Sequence, residues 1–160
     1  MMPGTLLLDC EGLSLLYRQD RAALVLIEAA RREGVRVGTT AMTRLEAEDS
    51  KVQRARIAWN LSRLDVHDIT REVSDDAAEL LRSHQLHGHK FAIDATLAAI
   101  ARRAERPVSV FTSDPEDLTL LCGKGIQIIP IKRQLRQALV VDEPGRLSRV
   151  GGGVREVRRR

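Results

Sequence analysis

Two rhythms of apolar spacing run along this chain, one suited to buried strands and one to helices. Thr5-Leu6-Leu7-Leu8 is a short apolar run of the kind a buried strand needs. From Asp20 to Glu33, Ala23, Leu24, Ile27 and Ala30 recur at helical spacing; Asp20 stands where a cap belongs, and Gly34 ends the helix. Val35 to Thr39 returns to strand character. A helical stretch is expected from about Ala41 to Glu48. A longer one is expected from about Lys51 to Leu64, with Ile57, Leu61 and Leu64 on one side. Val66 to Ile69 suits a short third strand. Ser74 stands as a cap before Asp75 and Asp76, whose charges complement a helix dipole; that helix runs to about Gln85, and Gly88 breaks it. Lys90 to Arg103 is periodic again through Ile93, Leu97, Ile100 and Ala104. Val108 to Thr112 is rich in strand formers, and Asp114-Pro115-Glu116-Asp117 opens a short helix that ends near Gly123. Ile126 to Ile131, interrupted by Pro130, reads as the last strand.

Strands alternating with helices imply an α/β fold, a parallel sheet covered on both faces. The length of 160 residues suits one domain, and 43% apolar residues suffice for a core. We expect that domain to span residues 1–141, with 142–160 a flexible, arginine-rich tail: this end holds Pro144, Gly145 and Gly151-Gly152-Gly153. No apolar run is long enough to span a bilayer, and the N-terminal residues lack the basic segment of a secretory signal. Only Cys10 and Cys122 are present, too few for a disulfide scaffold; a reducing cytoplasm is the simplest setting.

The net charge of +4 is unevenly spread. Residues 146–160 hold six arginines and one acid, Glu156, a sum of +5, which leaves −1 for residues 1–145. The body is therefore nearly neutral, and the tail is either a non-specific grip on RNA or a solvated terminus. Tyr17, Trp59, Phe91 and Phe111 are the only aromatic residues. A base-stacking sheet face needs several together, which disfavours the RRM and OB classes.

Chemistry concentrates in the carboxylates. Asp9 ends the first strand and Asp114 follows the strand 108–112, so both belong at the same edge of a parallel sheet, where ligands gather. Asp94 interrupts the apolar stripe Phe91-Ala92-Ile93-Asp94-Ala95-Thr96-Leu97-Ala98, where an unpaired buried charge would be costly. Glu46 follows the second strand and can reach the same edge, with Glu48 as its rival. Such acids repel one another unless a divalent cation neutralises them, and an all-oxygen donor set favours Mg²⁺ or Mn²⁺ over zinc. A purely structural account gives Asp114 a capping role, Asp9 a turn role and Asp94 an i, i+4 pair with Lys90.

Together, Leu-Leu-Leu-Asp9, the segment 39–46 (Thr-Thr-Ala-Met-Thr-Arg-Leu-Glu), Phe91-Ala92-Ile93-Asp94-Ala95 and the segment 110–118 (Val-Phe-Thr-Ser-Asp-Pro-Glu-Asp-Leu) make the chain resemble the PIN-domain nucleases, especially the VapC-like toxin ribonucleases. The resemblance spans roughly Thr5 to Ile131. It implies a three-layer α/β/α fold with a mostly parallel five-stranded sheet. It also implies Asp9, Glu46, Asp94 and Asp114 as catalytic acids, with Asp9, Asp94 and Asp114 on an Mg²⁺ or Mn²⁺ ion. Thr112, Ser113 and Asp117 would support the site. Cleavage of RNA, a homodimer and inhibition by a cognate antitoxin are further implications. Where the family usually has a small polar pair after the first Asp, this chain has Cys10-Glu11; Glu11 either adds a fifth charge or starts a helix.

His84, His87 and His89 lie within six residues, but the break at Gly88 and the lack of a nearby cysteine or acid argue against a closed zinc site. His89 and Lys90, one turn before Asp94, are the candidate RNA contacts. Gly123-Lys124-Gly125 precedes a strand rather than a helix, so it is no P-loop. Cys122 reads as a buried small hydrophobe. Two other readings compete: a catalytically degenerate PIN-type binding module, and a receiver-like α/β fold, which also gathers acids at strand ends.

Overall fold

A computed structural model describes residues 3–141. The tail expected at 142–160 lies outside the described residues. Five strands, β1 (Thr5–Leu8), β2 (Arg36–Thr40), β3 (Asp65–His67), β4 (Val108–Thr112) and β5 (Ile126–Pro130), form one all-parallel sheet in the order β3-β2-β1-β4-β5. Between and after them lie α1 (Cys10–Tyr17), α2 (Arg21–Arg32), α3 (Ala41–Glu46), α4 (Arg54–Ser62), α5 (Arg71–Ser83), α6 (Gly88–Arg103), α7 (Pro115–Cys122) and α8 (Ile131–Val141). This is the expected three-layer α/β fold. A receiver of the flavodoxin-like class would have the order 2-1-3-4-5, so that reading is set aside.

The two core layers follow from the alternation of strand side chains. Leu7, Val108, Val110 and Ile126 point to one face and pack with Val73 and Ala77 of α5, Leu97 and Ile100 of α6, and Leu118 and Leu121 of α7. Leu6, Leu8, Val37 and Phe111 point to the other face, against Leu13 and Leu16 of α1, Ile27 of α2, Ile57 of α4 and Ile131 of α8. Cys122 is buried in the first layer, as expected of a small hydrophobe.

Several boundaries differ from the sequence reading. Residues 10–17 form a helix capped by Asp9; the sequence reading offers only Glu11 as one alternative start for it. Thr70, not Ser74, caps α5: its hydroxyl accepts from the Val73 N–H at 3.3 Å, and Ser74 lies inside the helix. The break after α5 falls at Gln85, whose φ is 54°, and Gly88 instead begins α6. The stretch 51–64 is helical only over Arg54–Ser62, and Ile131 begins α8 rather than ending the last strand. Among the described residues no helix is long and apolar enough to cross a membrane.

Candidate active site

The chain passes from β1 outward to β2 and β3, then returns to add β4 and β5 on the opposite side of β1. The crevice beyond the carboxyl ends of β1 and β4 is therefore the switch point at which open α/β sheets bind ligands. Leu8 pairs with Phe111 in register, so Asp9 and the segment Thr112-Ser113-Asp114 emerge side by side there.

Asp9 is 5% exposed. Its Oδ1 accepts from the Gly12 N–H at 2.8 Å, which caps α1. Its Oδ2 accepts from the Ser113 N–H at 2.7 Å and faces the Ser113 hydroxyl at 3.3 Å. Burial outweighs these donors, and the carboxyl is held above its ordinary pKa. The Thr112 hydroxyl accepts from the Asp114 N–H at 2.9 Å and adds a further favourable contact to Asp9. Asp114 occupies the capping position of α7, yet its side chain makes no cap bond. Its Oδ2 lies 3.5 Å from the Ser113 hydroxyl, which thus sits between the two carboxylates.

Asp94 is half-buried in the first half of α6. Burial pushes its pKa up to about 6, and the charges of Asp114, Asp117, Asp9 and Glu46 push the same way. No ion pair joins it to Lys90, whose ammonium lies over the Phe91 ring, 4.9 Å from its centroid. Glu46 is the last residue of α3. Burial raises its pKa, the charges of Asp9 and Asp114 push the same way, and the neighbouring Cys10 thiol acts in the opposite sense.

These acids line one pocket of about 340 Å³, which holds Asp9, Glu46, Asp94, Asp114 and Asp117 together with Ser113 and Lys90. Glu46 lines it and Glu48 does not. Glu11 lies in the first turn of α1 and lines the pocket, and its carboxylate ion-pairs with Arg18 at 2.9 Å. His84, His87 and His89 do not line the pocket, so of the two RNA-contact candidates only Lys90 is beside it. The oxygen-rich donor set has the chemistry of a hard-cation site. As placed, however, no group of three or more His, Cys, Asp or Glu side chains among the described residues could hold a metal ion.

Sequence reasoning missed Cys10 as a neighbour of Glu46, and it missed Thr43 and Phe91 as lining residues. Phe91 lies one helical turn before Asp94, so the spacing was a usable signal. The packing of α1 against α3, which brings Cys10 and Glu46 to one pocket, is tertiary and left no local signal.

No family model matches the chain, and no curated protein does. Among solved structures, it resembles a chain in the crystal structure of VapBC2 from Rickettsia felis, bound to a DNA fragment from their promoter. The TM-score is 0.56 at 10% identity, over 79% of this chain and 98% of that one. The likeness is one of fold. It agrees with the architecture that the strand order and the two core layers give independently.

Proposed function

We propose that this chain is a metal-dependent endoribonuclease of PIN type, the toxin of a toxin–antitoxin pair. The observation that carries the reading is the gathering of Asp9, Glu46, Asp94 and Asp114 in one pocket at the switch point of the sheet. Asp9, Asp94 and Asp114 would hold Mg²⁺ or Mn²⁺. That ion, when bound, polarises phosphate and lowers the pKa of water. Asp9 is fixed in orientation by the Gly12 and Ser113 amides, so its direction is set before any substrate arrives. Glu46 is the acid free to accept a proton at its carboxylate, and Thr112 and Ser113 hold the Asp9–Asp114 pair in place. Asp117 adds negative charge at the rim, and Lys90 offers its ammonium to a phosphate of the RNA. The likeness to a VapBC2 complex supports an antitoxin as protein partner; the family resemblance supports a homodimer, and the two free cysteines suit a reducing cytoplasm.

Asp94→Asn, assayed on RNA with Mg²⁺ or Mn²⁺, is the direct test. The expected loss is at least about 10²-fold, the scale for removing a key electrostatic group. A folded variant with full activity would overturn the mechanism.

The absence of a ready three-ligand cluster favours one second reading, a catalytically degenerate binding module. Mn²⁺ titration separates the two. A cation site stabilises the folded state by about 2.7 kcal/mol at a hundred times its Kd, and the degenerate module gains nothing.

A further inference from the structure

We propose that the outer face of α4 binds single-stranded RNA, with a base stacked on Trp59 and backbone phosphates held by Arg54 and Arg56. The proposal deepens the ribonuclease reading and rests on it for the kind of strand that is bound. Trp59, the chain's one tryptophan, is 54% exposed. α4 buries Ile57 and Asn60, and Trp59 stands on its outer side. Ala55, Ala58 and Ser62 are exposed and small, so the helix surface around the ring is low. The Arg63 guanidinium lies 4.8 Å from the ring centroid and also pairs with Glu28 at 3.3 Å. It holds the indole by one face and leaves the other to a ligand.

Charge decides which ligand suits that face. Residues 51–63 hold Lys51, Arg54, Arg56 and Arg63 and no acid, a sum of +4; residues 1–145 sum to −1, so the remainder of them sums to −5. Among the described residues no ion pair joins Lys51, Arg54 or Arg56 to an acid. Arg56, Trp59 and Arg63 recur at spacings of three and four, which places them on one stripe of the helix. The carboxylate pocket works against a polyanion, because its five central acids meet only Lys90 as a basic lining residue. A strand cut there needs positive charge outside the pocket, and α4 supplies it. The two regions are linked. Ala47, Asp49 and Val52, between Glu46 and α4, line a cavity of about 130 Å³ with Glu11, which lines the carboxylate pocket as well. A protein helix would also cover Trp59, but apolar cover leaves Arg54 and Arg56 unanswered, whereas phosphates pair with them. One aromatic platform flanked by cations gives the sequence-tolerant contact that single strands need.

Fluorescence reads the stacking directly, because Trp59 is the sole tryptophan. A short oligoadenylate, added without divalent cations so that no cleavage is needed, is expected to quench the indole emission to saturation. Anisotropy of a labelled oligoadenylate gives the affinity in the same buffer. Trp59→Ala, at an exposed position, is expected to weaken binding about tenfold, within the range of one base–aromatic stack. Trp59→Phe, which keeps a ring, should stay within about threefold of the parent on the same scale. Arg54→Ala combined with Arg56→Ala is expected to reduce the slope of log affinity against log salt by about 1.4, the share of two phosphates on a single strand. No binding at low salt, saturated binding with unmoved emission, or Trp59→Ala with the parent's affinity each overturns the proposal. Binding through the arginines of residues 146–160, or a Trp59 reserved for a protein partner, gives one of those results. If oligoadenylate quenches Trp59 but the chain cleaves no RNA with Mn²⁺, the ribonuclease reading falls and the surface stands. If Trp59→Ala binds like the parent and cleavage persists, the surface falls and the reading stands.

Discussion

The backbone N–H of Ser113 donates to Asp9 Oδ2 at 2.7 Å, joining residues 104 positions apart in sequence. Asp9 thereby serves two ends at once, because its other oxygen caps α1 through Gly12. Asp9, a proposed metal ligand, is thus also a structural clasp between β1 and β4.

Asp9→Asn is therefore expected to lower stability. Whichever way the amide turns, its NH₂ faces one of two backbone donors, and a buried donor left unsatisfied costs about 1–3 kcal/mol. Asp114→Asn, at an exposed residue whose side chain makes no cap bond, should change stability by no more than about 0.5 kcal/mol. Urea unfolding of both variants makes the comparison, and equal losses would show that the clasp contributes nothing.

Asp94 sets an opposite trend with pH. Its folded pKa of about 6 lies above the ordinary 3.8, so the folded state binds the proton more tightly than the unfolded chain. Its contribution to stability is full below about pH 4 and is lost as pH rises through about 6. Asp94→Asn should melt above the parent at pH 7, and the gap should close near pH 4. A gap that is constant across that range, followed by circular dichroism, would mean that Asp94 is not held under charge stress.

Gly38 tests the far side of the sheet. A Cβ there would lie 2.6 Å from the Asp65 carbonyl oxygen and 3.2 Å from His67 Nε2, on the neighbouring strand β3. Gly38→Ala must push β3 away, and the expected loss is about 1–3 kcal/mol, the usual scale of overpacking. A variant with the parent's melting temperature would show that this edge strand moves at no cost.

The strands and the two strand-end acids were legible because their signals are local. Val108 to Thr112 needs only its own composition, and Asp9 and Asp114 need only to follow strands in a parallel sheet. Asp94 was legible as a violation, an acid on an apolar stripe. What escaped depends on contacts. The helix Cys10–Tyr17 has Leu13, Leu16 and Tyr17 at helical spacing, but it follows the first strand with no linker to mark its start. Ser74 lost the cap to Thr70 because both have the right side chain, and the packing of Val73 and Ala77 against the sheet fixes where the helix begins. Cys10 and Glu46 meet on one pocket from separate helices, and no spacing rule reaches that far.

The central place of β1 has a consequence for how the molecule is made. The first strand lies between β2 and β4, and Asp9 stays unclasped until Ser113 is available to it. A growing polypeptide that has emerged only as far as α6 already carries Asp9, Glu46 and Asp94, but it lacks β4 and the Ser113 amide that holds Asp9 Oδ2. Synthesis from the N-terminus thus brings out Asp9, Glu46 and Asp94 before Ser113, the residue that completes the hold on Asp9.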